Sequence, residues 1–506
     1  MLLEMHCHTS EHSACSHVNA ASLVKQIFKK GLEGVIFTDH HFLWLKDELK
    51  AFRKTVEVPD YFLILAGQEV STADAGDVLV YGAAEIIPKG TLLADIRAKY
   101  PHAALVLAHP YRKGKKPGKE TFLNPLLDGV EIFSSNHSVA ENTRGLRDWH
   151  HYRFTAIAGT DTHAANYAGS YPTLFDHPVE TIEELVEEIK KGRCRPFFKE
   201  IPKAGATVRV DEITIGTKGE DETRERIVIR RFQDVKTWQS AERAFYITEE
   251  IARHGFDRGR YRVPRLIEQD KENMVLIEEG LRGNSLVEKL IRSDIKDARF
   301  FVQLSAQWLA SLHNLRLQIT PPDEFLEREP KRLARYVGHF EDINHPHKRR
   351  AREIMETVQK AEIALFKDHP EQLVQGHGDF HPKNIYIGQD KAHKRETLYV
   401  AAIDFNSSDC LPPAFDVGTF LAQFRNQLFP YPEILQAIPE EVFLDAYLAA
   451  AKDKNGDFLR QVELFQARAD LSIASFLIKL GLGESENLWR VLVEAEKALT
   501  QFEFMK

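Results

Sequence analysis

Apolar positions along the chain fall into two textures. Over residues 1–198, short apolar runs alternate with segments whose aliphatics recur at helical spacing. The runs 34–38, 62–66, 104–108, 129–133 and 155–158 are too short for helices and end in glycine or polar residues, which predicts buried strands. Between them, 20–30 carries Leu23, Val24, Ile27 and Phe28 on one helical face and stops at Gly31. Residues 181–191 repeat this with Ile182, Leu185, Val186 and Ile189. Such alternation predicts βα units on a parallel sheet or barrel. The texture changes near 193–202. Residues 204–232 alternate as an antiparallel meander, with strands over 207–215 and 226–232. A helix over 237–254 ends at Gly255, and short strands follow around Leu266 and over 273–279. From Leu286 onward the pattern is mainly helical, with ordinary core spacing over 298–315 and 462–504.

The strand-like runs of the first part share a second property. Leu2 and Leu3 open an apolar run whose end carries His6 and His8, and period-two spacing puts both imidazoles on one face. Each later run also delivers metal-type side chains at its C-terminal end: Asp39, His40 and His41; Glu69; His109; Asn136 and His137; Asp161 and His163. That is the end at which α/β folds place their sites. A satisfied core histidine explains any one of these positions, but not six strands in succession.

His6-x-His8-Thr9, Thr38-Asp39-His40, Gly67-x-Glu69, His109-Pro110 and Gly159-x-Asp161-x-His163 resemble the polymerase-and-histidinol-phosphatase (PHP) family of metal-dependent phosphoesterases. The resemblance covers about residues 1–198. It implies a distorted (β/α)7 barrel holding two or three divalent metals, with His6, His8, His40, Glu69, His109, His137, Asp161 and His163 as ligands. A further ligand follows the second histidine in this family; His12 is the choice here, with Cys15 and His17 as alternatives. Glu4 stands where the family usually has Asp, and Glu11–Ser16 replaces its Ser-Asp-Gly. Imidazoles beside hard carboxylates suit zinc, manganese or iron. The basic stretch Arg112–Lys119 follows a ligand strand. It reads either as a loop that gathers phosphate or as a solvated turn.

In the second half, Asp379 precedes Asn384 by five residues, and a strand some twenty residues on delivers Asp404. One carboxylate to take a hydroxyl proton, with an amide and a second carboxylate for Mg²⁺ on nucleotide phosphates, is a phosphoryl-transfer arrangement. Together with Asp416, these residues resemble the aminoglycoside phosphotransferase and choline kinase-like family over about 203–506. The resemblance implies a bilobal, protein-kinase-like domain with a small lobe at 199–280 and a large lobe at 281–506. It implies ATP or GTP with Mg²⁺, Asp379 as catalytic residue, Asn384 and Asp404 as metal ligands, and Asp416 as a brace for the catalytic loop. Residues 277–280 match the hinge against adenine. Arg230 stands where the phosphate-pairing lysine is usual, with Glu242 as a candidate partner. The phosphate-covering loop falls at 203–207 or at 216–219.

The 506 residues suggest two to four domains, and 43% hydrophobic residues allow sizeable cores. Four cysteines without Cys-x-x-Cys spacing argue against a disulfide framework. No signal peptide and no spanning apolar run is evident, so a soluble, cytoplasmic setting is expected. The net charge of −8 does not advertise nucleic-acid binding. The expectation is therefore a bifunctional enzyme, a phosphoester hydrolase joined to a phosphotransferase that acts on a small molecule or nucleotide. The alternatives are end-processing of nucleic acid, or a hydrolase regulated by a non-catalytic nucleotide-sensing domain.

Overall fold

The computed structural model describes residues 1–201, 207–216, 225–390, 395–452 and 456–505. The chain divides into two compact units, Met1–Phe232 with Ile267–Glu278, and Gln233–Leu266 with Glu279–Lys506.

Two of the five-stranded sheets in the first unit are made largely from the short apolar runs. One uses β1 (Leu2–Cys7), β2 (Gly34–Phe37) and β3 (Leu63–Ala66) in parallel. The other runs β4 (Gln68–Ser71), β5 (Asp77–Tyr81), β6 (Ala104–Leu107), β7 (Gly129–Phe133), β8 (Ala156–Ala158). The first sheet is completed by β9 (Thr173–Phe175), antiparallel to β1, and by β10 (Cys194–Pro196). Residues 3–7 of β1 and all of β2 and β6 are buried, as strands covered on both faces must be. Single bridges, His40 to Glu69 and Cys7 to Thr162, join the sheets at both sides.

The closed (β/α)7 barrel implied by the resemblance is not found among the described residues. Two features interrupt it. In the hairpin β4–β5, turned by Thr72 N–H on Gly76 O at 2.9 Å, β5 runs antiparallel to both β4 and β6. Between β3 and β4 the chain passes through Gly67, where a Cβ would lie 2.8 Å from the Tyr81 ring and from Val80 O. Only glycine permits that approach.

The expected helices form with their caps. Ala20–Lys29 starts at Asn19, whose side chain accepts Ser22 N–H, and buries Ala20, Leu23, Val24 and Ile27. Ile182–Lys190 has a capping box between Thr181 and Glu184. Each such cap contributes about 1 kcal/mol.

The meander also forms, as β11 (Lys199–Ile201), β12 (Val208–Ile215) and β13 (Glu225–Phe232), with Val208 opposite Phe232 and Ile215 opposite Glu225. In chain order there follow β14 (Tyr261–Arg262), β15 (Leu266–Asp270) and β16 (Val275–Gly280), and the five-stranded sheet runs β11-β12-β13-β16-β15.

In the second unit β17 (Asn284–Ser285), β18 (Val374–Gln375), β19 (Ile385–Gln389), β20 (Leu398–Ala402) and β21 (Cys410–Leu411) lie among long helices. Chief among these are Ile295–Asn314, Pro413–Gln427 and Phe458–Lys479. The core includes Trp308 stacked on Phe380, ring centres 5.5 Å apart, and Phe420 on Phe443 at 3.8 Å. The apolar pattern over 462–504 is two helices, not one, because Gly481 turns with φ +74° before Glu486–Phe504 begins. No helix among the described residues is long and apolar enough to cross a membrane.

Candidate metal centre and phosphotransfer site

Where β1, β2, β4, β6 and β8 end or begin, their side chains converge in two groups. His6, Glu69, His109 and Asp161 form one, and His8, His40 and His163 the other; within each, the candidate ligand atoms lie within 4.8 Å of one another. Glu69 ties the groups together. Its Oε1 is 2.9 Å from His109 Nε2, and its Oε2 is 3.3 Å from His6 Nε2, 3.1 Å from His8 Nε2 and 3.1 Å from His40 Nδ1. Asp161 Oδ1 lies 3.1 Å from His8 Nε2. The His6 and His8 Nε2 atoms face each other at 3.2 Å. Convergent imidazole nitrogens and carboxylate oxygens form a donor set for divalent cations. His109 and Asp161 carry left-handed backbones, φ +28° and +44°, that non-glycine residues adopt only under constraint.

Residues behind the ligands hold them in place. His6 Nδ1 meets Glu131 Oε1 at 2.9 Å, which assigns the ring proton there and leaves Nε2 free to ligate. Glu131 Oε2 accepts His109 N–H at 2.9 Å. Glu131 is completely buried and was not among the expected site residues. Its signal was present, as the one carboxylate inside the apolar run 129–133. Glu4 accepts Thr160 N–H at 2.9 Å, Thr160 hydroxyl at 2.7 Å and Gly169 N–H at 2.8 Å, so it braces the loop that carries Asp161. Gly159 in that loop is needed, because a Cβ would fall 2.4 Å from His6 Cβ. Asn136 donates to Asp161 Oδ2 at 2.7 Å. Asp39 accepts Thr9 N–H and hydroxyl, both at 2.7 Å, Ser13 hydroxyl at 2.6 Å and Trp44 Nε1–H at 2.8 Å.

Two expected ligands stand apart from both groups. The His12 ring is exposed and stacks on Phe42 at 3.6 Å, with Trp44 edge-on at 4.7 Å. The turn begun by Ser13 N–H on Thr9 O sends Ser13 inward to Asp39 and His12 outward. Cys15 and His17 are exposed and join neither group. His137 differs. Its Nδ1 is 3.1 Å from Asn142 Oδ1, and its Nε2 is buried without a hydrogen-bond partner, a lone pair that fits a further cation.

The charges follow from this packing. Burial works against an ionised Glu69, yet His6 and hydrogen bonds from His109, His6 and His8 hold it well below the usual carboxylate range. Asp161 is held low in the same way by His6 and His8. Burial works against a charged His6, but Glu131, Asp161 and Glu69 outweigh it and hold the ring well above its usual range, so a cation ligated at Nε2 would displace a proton there. Burial brings His40 down to about 4 and also lowers His163, leaving them as neutral ligands. Beside His109, a cleft of about 550 Å³ is lined by Asp77, Arg112, Lys113, Lys115 and Lys116. Arg112 Nη1 is 3.6 Å from Asp161 Oδ2, so the basic stretch reaches the centre. Another cleft, about 800 Å³ at Trp149, Arg153, Arg209 and Asp270, contains none of the expected site residues.

In the second unit, Asp379 lies in the loop between β18 and β19. Buried Asp416 accepts His377 N–H at 2.7 Å and Gly378 N–H at 2.8 Å and faces His313 Nε2 at 3.1 Å. His377 Nε2 contacts Ile403 O at 3.0 Å. Gly378, φ +78°, passes so close to Ser407 that a Cβ would lie 2.0 Å from its carbonyl oxygen. Asn384 donates to Asp379 O at 3.1 Å, and Ile403 N–H on Asn384 O at 2.9 Å brings Asn384 beside Asp404. Asp404 has φ +68° and accepts the Asn406 amide. Burial works against ionised Asp379, but a hydrogen bond and charge from His381 hold it below its usual range.

Arg230, on β13, donates to Glu278 Oε2 at 2.8 Å, while its Nε is buried without a partner. Of the stretches expected to cover phosphate, 203–206 and 217–219 lie outside the described residues.

Two groups of side chains could ligate cations, and one loop holds Asp379 and Asn384 five residues apart. Residues 216–460 match the phosphotransferase enzyme family, and residues 140–194 match a PHP-associated family. The chain therefore carries an aminoglycoside-phosphotransferase-type domain and a PHP-associated domain. No curated protein matches the chain. Among solved structures it is similar to an ethanolamine kinase from Plasmodium vivax, at 16% identity and TM-score 0.40, over 61% of this chain and 84% of that one. It is similar to a choline kinase from Cryptosporidium parvum, at 14% and 0.39, over 60% and 89%. It is also similar to a protein described as a metal-dependent phosphoesterase from Bifidobacterium adolescentis, at 17% and 0.27, over 38% and 96%.

Proposed function

We propose that the protein is a bifunctional enzyme that hydrolyses a phosphoester at the His6–Asp161 centre and transfers phosphoryl groups to a hydroxyl at Asp379. We assign residues 1–198 to the hydrolase, 199–280 to a small lobe and 281–506 to a large lobe of the transferase. The observation that carries the reading is the convergence of seven candidate ligands in two groups around Glu69.

His6, Glu69, His109 and Asp161 would hold one divalent cation, of zinc, manganese or iron type, and His8, His40 and His163 a second. Such cations supply Lewis acidity toward a phosphoryl oxygen. The chain's own contributions are distinct. Glu131 keeps the His6 proton on Nδ1, and Glu4 and Asn136 hold the Asp161 loop. Arg112 and Lys113 draw an anionic substrate toward the centre. In the second site, Asp379 orients a hydroxyl and accepts its proton, while Asn384 and Asp404 would hold Mg²⁺ on ATP or GTP. The acceptor is a small molecule or nucleotide.

The test is a phosphate-release screen over sugar phosphates, nucleotides and short oligonucleotides, run beside ATP-dependent transfer. Release is expected to vanish in His6→Ala with Asp161→Ala and transfer to vanish in Asp379→Ala, each without loss of the other. Release that survives the double substitution removes the hydrolase. The engagement of Arg230 with Glu278, where a phosphate-pairing lysine is usual, favours one second reading: the kinase-like part senses a nucleotide and regulates the hydrolase. ATP binding without turnover, coupled to a change in phosphate release, supports that alternative.

A further inference from the structure

We infer that the hydroxyl compound phosphorylated at Asp379 is itself an anion, already carrying a phosphate or carboxylate. This rests on the phosphotransferase reading of the Asp379 loop and names its substrate class. A cleft of about 370 Å³ opens beside Asp379, and its charged lining is Arg332, Arg335, Arg468 and Lys479 against the single carboxylate of Asp379.

Two of the four cations are built into the wall. Arg468 is buried, its Nε on Glu329 Oε1 at 2.5 Å and its guanidinium 4.4 Å from the Phe415 ring centre. Arg332 reaches Asp409 Oδ2 at 3.3 Å and Glu329 Oε2 at 3.5 Å. Asp409 is shared further, with Arg243 at 2.6 Å and Arg328 at 3.1 Å, and the same two arginines meet Glu324 at 3.7 and 2.6 Å, two cations against two carboxylates. Glu362 is buried beside Glu329, and burial pushes it well above the usual carboxylate range. The other two cations are exposed at the cleft, and among the described residues neither Arg335 nor Lys479 has an ion-pair partner. Thr419 completes the site. It lines the cleft, is 4% exposed, and its hydroxyl is buried without a hydrogen-bond partner.

A wall with surplus positive charge and an unpartnered hydroxyl attracts an anion and repels an amino alcohol. The hydroxyl oxygen of the acceptor forms a bond to the γ-phosphorus of a nucleoside triphosphate. The bond from that phosphorus to the β-bridging oxygen breaks, and the nucleoside diphosphate leaves with the electron pair. The hydroxyl proton passes to the Asp379 carboxylate and then to water. The product carries two anionic groups.

The experiment uses the full chain with ATP and Mg²⁺ and an acceptor panel. The panel contains sugar and polyol phosphates, nucleoside monophosphates, hydroxy acids, neutral polyols, choline and ethanolamine. Transfer is expected to anionic members only, and the phosphate and carboxylate arms identify which anion is read. Arg335→Glu with Lys479→Glu should raise the acceptor KM more than tenfold with a smaller change in kcat, and Arg335→Lys with Lys479→Arg should preserve it. Transfer to choline, ethanolamine or neutral polyols, or an acceptor KM indifferent to charge reversal, overturns the inference and leaves the phosphotransferase standing. ADP formation that no anionic acceptor accelerates also counts against it. Absence of both ADP formation and transfer overturns the phosphotransferase reading and this inference with it.

Discussion

The candidate metal centre and the Asp379 loop solve opposite problems. At the centre, Glu69 and Asp161 are 1% exposed and lie in a closed web of imidazoles and carboxylates. At the loop, Asp379 is 42% exposed and only its supports, Asp416 and His377, are buried. Like and unlike charges can be packed into a dry site only if something neutralises them, and cations do so. A carboxylate proposed to meet a mobile hydroxyl has to stay open, and the backbone beneath it carries the rigidity instead. The centre is thus expected to fail through loss of its ligands, and the loop through loss of one group or of its brace.

The largest contrast comes from removing both kinds of chemistry in turn. His6→Ala with Asp161→Ala should lower phosphate release about 10³-fold or more, since a metal centre supplies several kcal/mol. Metal content, measured by elemental analysis, should fall with it while ATP-dependent transfer persists. Asp379→Asn should lower transfer roughly 10²-fold to 10³-fold, the usual worth of a proton-accepting side chain, and leave bound metal untouched. If either substitution abolished both activities, the two sites would not be separable and the contrast would fail.

A finer break tests the support of the centre. Glu131→Gln keeps the size but loses the charge behind His6, and metal affinity should weaken about 10-fold to 100-fold by competitive chelation. Unchanged affinity would make Glu131 a packing residue only.

The smallest effect concerns stability in the second unit. Burial pushes Asp470 up to about 7, against the opposing pull of Arg425. Its folded pKa lies above the unfolded value, so the neutral acid is the form the fold prefers. Its contribution is undiminished below pH ~4 and is lost as pH rises from there to about 7, at about 1.4 kcal/mol per pH unit across that window. Asp470→Asn should flatten this dependence in thermal melts between pH 4 and 8. A parallel decline in both proteins would refute the assignment.

Much of this architecture was legible in the chain. Buried strands announce themselves as short apolar runs, and the candidate ligands sit at or just beyond their C-terminal ends, where α/β folds place their sites. The Asp379–Asn384 spacing was equally readable, since one loop holds both residues. His12 was not, because the aromatic platform of Phe42 and Trp44 that draws it outward comes from another loop. Glu131 was visible as an odd carboxylate, but its role was hidden for a similar reason. A carboxylate in an apolar strand acquires meaning only when His6 arrives from 125 residues away.

Local pattern, then, determined which segments become strands and helices and which residue types stand at their ends, because those depend on periodicity and on near neighbours. Tertiary structure decided the rest. It replaced a closed barrel with two bridged sheets, through an antiparallel hairpin and a close pass at Gly67. It also made Glu69 the shared carboxylate of both ligand groups and left a surplus of cations beside Asp379. Each of these depends on distances between residues far apart in the chain, which packing sets and periodicity does not encode.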